Sequence, residues 1–216
     1  MSAPEPPRRI GSPRWALLEA CAATLLAVAA IHLLTGTSYG SVLAPGVWIY
    51  IPLASVFCGR RSFEDHGFAL SAWRKGWTAL ALSAVLVLVP FAAAVILLGP
   101  KLDGIRPTAP ANIDPTVLLL DLVLVAIPEE IFFRGYIHGR LRVWLASRGI
   151  RNSIVLAAAG SALFAAAHVL VEPTWIRAAV FVPGLLMGWL RERTGGLLAP
   201  TGFHWLANAV WSALRF

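Results

Sequence analysis

Apolar runs of roughly bilayer length alternate along the chain with short polar segments rich in glycine and proline. Because a membrane-spanning helix needs about 20 predominantly apolar residues, each run predicts one span. The seven predicted spans are residues 15–34, 42–58, 76–98, 116–148, 153–171, 175–190 and 197–214. The pattern therefore predicts an all-α fold, a polytopic membrane helix bundle of about seven transmembrane helices.

The polar segments predict one domain behind a short tail. Residues 1–13 hold four prolines and two arginines with no apolar face, so we expect a disordered cytoplasmic tail. Residues 14–216 then form a single transmembrane helical domain.

Local signals within this domain predict details of its helices. Asp114 followed by Pro115 is typical of a helix start, with the aspartate as cap and the proline at the first position. Pro90 predicts a kink in the third span. Gly184 and Gly188 have the spacing that allows close contact between two helices.

The composition agrees with a membrane protein, since 58% of the residues are hydrophobic and only 13% are charged. The net charge of +7 does not indicate nucleic-acid binding, because the basic residues fall in short loops between apolar runs. Fourteen of the 18 Lys and Arg residues lie on one side of the predicted topology, which places the N-terminus in the cytoplasm. Since 16 of the 18 are arginine, we expect a multi-pass protein of the bacterial inner membrane.

Two adjacent acids and an arginine interrupt the fourth predicted span. Glu130 and Arg134 are four residues apart, in the order that favours an ion pair on a helix. Glu129 points about 100° away from Glu130, which leaves it free to face a cavity. Pro128 predicts a kink just before the acids. A buried carboxylate of this kind suits a general base, although a polar cluster that only ties helices together fits this motif equally well.

Two later spans each carry a histidine. Phe164 lies one helical turn before His168, where its ring can orient the imidazole. His204 and Asn208 share one helix face, and both can donate to a developing oxyanion. A glutamate and two histidines from three helices form a set that favours catalysis over packing. The predicted spans place His168 deeper than Glu129, so the fifth helix must tilt or start inside the cytoplasmic interface.

Three motifs, in this order, resemble those of the CAAX protease and bacteriocin-processing family, also called the ABI family. They are Glu-Glu-x-x-x-Arg at 129–134, Phe-x-x-x-His at 164–168 and His-x-x-x-Asn at 204–208. The resemblance covers residues 114–211, whereas the first three predicted spans are merely apolar.

The resemblance implies glutamic-type intramembrane proteolysis, with no cofactor and an active site buried within the bilayer. Glu129 and His168 would activate the attacking water. His204 and Asn208 would stabilise the tetrahedral oxyanion. The supporting residues would be Glu130, Arg134 and Phe164.

The implied partner is a membrane-anchored or C-terminally tagged protein substrate, cleaved near its C-terminus or membrane segment. The family includes the eukaryotic endopeptidase of prenylated CAAX proteins, bacterial members tied to bacteriocin processing or immunity, and myxosortases that process C-terminal sorting tags. The bacterial composition favours a myxosortase-like substrate over a prenylated one.

Two other functions remain open. Glu129, His168 and His204 could be the zinc ligands of a membrane peptidase, since their number and type suit zinc, although the chain has no His-Glu-x-x-His motif. Alternatively, the chain is a non-catalytic bacteriocin-immunity or scaffold protein in which these residues hold helices together.

Overall fold

The computed structural model describes residues 13–59, 63, 66–68, 72–98 and 114–214, and the regular elements in these ranges are helical. The α-helices are α1 (Pro13–Thr35), α2 (Gly40–Gly59), α3 (Trp73–Ser83), α4 (Val89–Leu98), α5 (Pro115–Asp121), α6 (Ile127–Glu130), α7 (His138–Ala146), α8 (Ser153–Val171), α9 (Trp175–Ala178), α10 (Phe181–Thr194) and α11 (Leu198–Ala213). Three π-helical segments join some of them: π1 (Ala84–Leu88), π2 (Leu122–Ala126) and π3 (Ile131–Ile137). The all-α prediction is confirmed. The predicted tail lies outside the described residues except for Pro13, where α1 begins.

Three helices are long and apolar enough to cross a membrane, namely Pro13–Thr35, Trp73–Leu97 and Ser153–Val171. The second of these helices is the most apolar. Only 11% of its 18-residue apolar stretch is buried, as expected for a surface that faces lipid. Within α2, the apolar stretch Leu43–Cys58 is shorter. These helices support a membrane protein, and the count of seven spans stays a prediction.

The prediction of one continuous helix over residues 175–190, the sixth span, is wrong. The short helix α9 ends at Ala178, and α10 starts at Phe181 and is only 14 residues long. Pro183 lies in the first turn of α10, where its missing N–H costs no helical hydrogen bond, so the chain can start a new helix there. The predicted seventh span becomes α11, of 16 residues.

Residues 115–146 form one continuous helix that carries both acids, as the sequence predicts. Asp114 caps it by accepting a hydrogen bond from the Thr116 N–H at 2.8 Å, and Pro115 occupies the first turn, so both predictions at this start are confirmed. We call residues 115–146 the catalytic helix, a name taken from the role that the family resemblance implies for Glu129.

The two prolines that are predicted to kink helices, Pro90 and Pro128, each lie just after a π segment. Pro128 follows two residues after the end of π2, and Pro90 follows two residues after the end of π1. In an α-helix the proline ring clashes with the carbonyl four residues earlier. That carbonyl lies inside the π segment in both cases, and the wider turn gives the ring room.

The catalytic helix and α8 form an antiparallel hairpin that brings Glu129 and His168 to the same depth, although the predicted spans place His168 deeper. Seventeen residues separate Glu129 from Ala146, at the end of α7, which is about 25 Å of helix. Fifteen residues separate Ser153 from His168, which is about 22 Å. Since the two helices meet at the short turn between them, Glu129 and His168 come to the same level.

Helices α8 and α10 pack closely through the two glycines that the sequence singles out. A Cβ on Gly188 would lie 2.9 Å from the Ala157 Cβ, and a Cβ on Gly184 would lie 2.4 Å from the Ser161 Oγ. The small-residue prediction is therefore confirmed, and it brings α10 against the helix that carries His168.

A polar contact near the end of α10 joins this helix to α7, the last part of the catalytic helix. His138 Nε2 donates to Glu192 Oε1 at 2.8 Å, and Arg142 pairs with the same oxygen. Burial alone would raise the pKa of Glu192, which lies in the charged turn after the predicted sixth span. The hydrogen bond with His138 and the charges of His138 and Arg142 outweigh burial and hold that pKa below its usual value.

We expect Gly188→Val to lower the free energy of unfolding by about 1–3 kcal/mol, because the new side chain overpacks the contact with Ala157. Val182→Leu is the control, since Val182 is 71% exposed on the same helix. Thermal unfolding in detergent measures both. Equal midpoints for the two variants would contradict the close contact.

We expect Glu192→Gln to lower the thermal midpoint at neutral pH and to weaken its fall on acidification. A carboxyl whose pKa is depressed by folding stabilises the fold above its unfolded pKa of about 4.3, and this contribution is lost as the pH falls through the folded pKa. Midpoints measured from pH 7 to pH 3 test this. Parallel curves for wild type and variant would show that the pair with His138 carries no stability.

Candidate active site

Glu130 and Arg134 form a buried ion pair on the catalytic helix. Arg134 Nη1 donates to Glu130 Oε1 at 2.6 Å, and the two side chains are 3% and 0% exposed. The second guanidinium nitrogen, Nη2, donates to the Gly184 carbonyl oxygen at 3.2 Å. The predicted pairing is confirmed, and the arginine also ties the catalytic helix to α10.

The ring of Phe164 lies at the centre of the site. Arg134 Cζ lies 4.3 Å from its centroid, a cation–π contact that helps to hold the guanidinium. The same ring contacts the imidazole of His168 edge-on at 4.3 Å between centroids, and that of His204 at 6.0 Å. The predicted contact of Phe164 with His168 is confirmed.

Glu129 points away from the ion pair of Glu130 with Arg134, as the 100° turn between adjacent helical residues predicts. Its Oε2 atom is buried and forms no hydrogen bond within the described part of the chain. This oxygen lies 3.8 Å from His168 Nε2 and 3.9 Å from His204 Nε2. The structure therefore brings together the three groups that the sequence places on three separate helices. Both gaps are too long for a direct hydrogen bond and suit a bridging water.

The Nδ1 atoms of the two histidines bind different groups. His168 Nδ1 donates to the Phe164 carbonyl oxygen at 2.9 Å, a bond within α8 itself. His204 Nδ1 lies 2.9 Å from Glu130 Oε1 and therefore binds a carboxylate of the catalytic helix. Both rings consequently turn Nε2 toward Glu129.

Asn208 has a partner that the sequence does not reveal. Its Nδ2 donates to both carboxylate oxygens of Asp121, at 3.2 and 3.3 Å. Asp121 thus satisfies a neighbouring polar side chain, and the contact joins α11 to the first turns of the catalytic helix. Asn208 still follows His204 by one turn of α11.

A cavity of about 280 Å³ opens beside Glu129 and His168. Most of its other lining is apolar, and includes Ile31, Trp48, Leu124 and Val171. The ion pair of Glu172 and Arg177, after the end of α8, contributes to the same lining. Trp48 and Arg177 could not be predicted as neighbours of the acids, because α2 and α9 carry no motif that would place them there.

The described residues hold no group of three or more His, Cys, Asp or Glu side chains arranged to bind a metal ion. This holds for Glu129, His168 and His204 as well, the three ligands that the zinc hypothesis requires.

Comparison with known proteins finds similarity to one family and to one bacterial protein. Residues 111–210 match the family described as Rce1-like, type II CAAX prenyl endopeptidase Rce1-like. The uncharacterized protein YpbD of Bacillus subtilis (strain 168) is 26% identical over 178 residues, which cover 78% of this chain and 86% of the relative. These similarities support assignment to the CAAX protease family.

The CAAX protease match contains all three motifs and therefore Glu129, His168, His204 and Asn208. The match indicates a protease, and the apolar helices agree with a membrane protein. No solved structure matches the chain significantly.

Proposed function

We propose that this chain is an intramembrane endopeptidase that hydrolyses a peptide bond with a water molecule activated by Glu129 and His168. One observation carries the proposal. A buried carboxylate oxygen without a hydrogen bond in the described chain faces two imidazole nitrogens, and its residue lines a cavity with mostly apolar walls. Such a group costs stability, and an unpartnered buried acid is a hallmark of a functional site.

The attacking water would sit between Glu129 Oε2 and His168 Nε2. His168 already donates its Nδ1 proton to the Phe164 carbonyl, so its Nε2 carries a lone pair when the ring is neutral. The water can then donate one hydrogen to each group. Glu129 takes a proton as the oxygen attacks, and this general-base step contributes about 10²- to 10⁴-fold to the rate.

The attack converts the scissile carbonyl into a tetrahedral oxyanion. His204, whose Nε2 lies 3.9 Å from Glu129 Oε2, would stabilise this charge, with Asn208 one turn further along α11. Glu129 then returns its proton to the leaving amine nitrogen, the carbon–nitrogen bond breaks, and the carboxylate is restored.

The cavity suits an apolar stretch of the substrate. Trp48, Leu124 and Val171 line it beside the acid, and its volume is enough for one or two side chains. The substrate we propose is a membrane-anchored or C-terminally tagged protein cut near its C-terminus or membrane segment.

We expect deletion of the gene to leave a set of membrane proteins with longer C-termini, and the wild-type chain to restore cleavage. Glu129→Gln should fail to restore it, because glutamine cannot accept the proton of the water. Mass spectrometry of membrane-protein C-termini measures this in cells that contain each variant at equal membrane abundance.

Glu192→Gln is the matched control, since it neutralises another largely buried glutamate outside the cavity. We expect it to restore cleavage at a permissive temperature. Restoration by Glu129→Gln would refute the proposed role of this residue, and a deletion without any altered C-terminus would refute the endopeptidase. Stoichiometric zinc in the purified active protein would favour the metallopeptidase instead.

A further inference from the structure

The two histidines beside Glu129 differ in the charge of the group that holds them. His168 Nδ1 binds a neutral carbonyl, whereas His204 Nδ1 binds the carboxylate of Glu130. Glu130 Oε1 also accepts a bond from Arg134 at 2.6 Å, so the same oxygen acts as the acceptor toward the imidazole. Hence Nδ1 carries a proton in both rings.

This tautomer has opposite consequences for the two proposed roles. A neutral His168 presents a lone pair at Nε2, as the activation of water requires. A neutral His204 would also present a lone pair at Nε2 and could not donate to an oxyanion. His204 can serve as a donor only if both ring nitrogens carry a proton.

The charges around His204 favour that doubly protonated form. Glu130 lies 2.9 Å from one ring nitrogen and Glu129 lies 3.9 Å from the other. Arg134 is the cation that opposes them, and Asp121, which accepts from Asn208, adds a further negative charge nearby. With Glu129 and Glu130 ionised, Arg134 leaves one negative charge uncompensated at the ring, which an imidazolium neutralises. His204 is only 7% exposed, so solvent screens these charges weakly.

We propose that Glu130 is a positioning residue that fixes His204 as an imidazolium, so that its Nε2–H is aimed at the carbonyl oxygen of the substrate beside Glu129. The catalytic use of this arrangement rests on the proposed endopeptidase function. The two adjacent acids then have different roles. Glu129 acts on the water, and Glu130 acts only through His204.

Nitrogen-15 NMR of histidine-labelled full-length protein in lipid nanodiscs tests the charge state without any substrate. We expect both nitrogens of His204 to be protonated at pH 7, and His168 to be protonated at Nδ1 alone. The signals are assigned from the spectra of His204→Gln and His168→Gln. A His204 with an unprotonated Nε2 at pH 7 would overturn the proposal, whatever the chain cleaves.

The pH–rate profile of Glu130→Gln tests the link to catalysis, with a peptide that spans a cleavage site found by the C-terminal comparison. Without the carboxylate, His204 should lose its second proton at lower pH. The alkaline limb should therefore move to lower pH, with kcat down about 100-fold at pH 8 and a smaller loss at pH 6. An equal loss at all pH values would indicate a purely structural role.

The two proposals can fail separately. Cleavage by Glu129→Gln refutes the endopeptidase mechanism and leaves the NMR result standing. A neutral His204 in a protein that Glu129→Gln inactivates refutes only the role of Glu130. If Glu130→Gln does not fold, the NMR measurement of the wild-type protein at pH 7 still decides whether His204 is an imidazolium.

Discussion

The candidate site depends on the buried contact of Glu130 with Arg134 and His204. It joins the catalytic helix to α11 directly, and the second bond of Arg134, to the Gly184 carbonyl, extends it to α10. Removing one partner from a buried ion pair typically costs about 3–5 kcal/mol, because the other charge stays buried and unpaired. The contact therefore fixes the relative position of three helices and the orientation of the His204 imidazole beside Glu129.

The site also requires that three helices reach one level. The antiparallel hairpin of the catalytic helix and α8 brings Glu129 and His168 together, because each lies a similar distance from the turn. Gly184 then lets α10 approach α8 closely enough for Arg134 to reach its carbonyl. The π segments on either side of the two acids widen the catalytic helix around Pro128, a feature often found at functional sites.

Local patterns in the sequence predict much of this arrangement. The i,i+4 spacing predicts the pair of Glu130 with Arg134, and Asp114 with Pro115 predicts the start of the catalytic helix. Contacts between distant segments leave no such pattern, so the bond from His204 to Glu130 and that from Asn208 to Asp121 could not be read from spacing. Hydropathy alone also overestimated the span at 175–190, because an apolar run does not show where a helix restarts.

The central claim is that Glu129 activates the attacking water, whereas Glu130 holds Arg134 and His204 in place. The most direct measurement compares the thermal unfolding midpoints of Glu129→Gln and Glu130→Gln with that of the wild-type protein in one detergent. Glu129 Oε2 forms no hydrogen bond in the described chain and faces the two imidazoles only at 3.8 and 3.9 Å. Neutralising it should therefore change the midpoint much less than the loss of Glu130, whose Oε1 binds both Arg134 and His204. Glu130→Gln should lower the midpoint clearly. A fall for Glu129→Gln as large as that for Glu130→Gln would contradict the account.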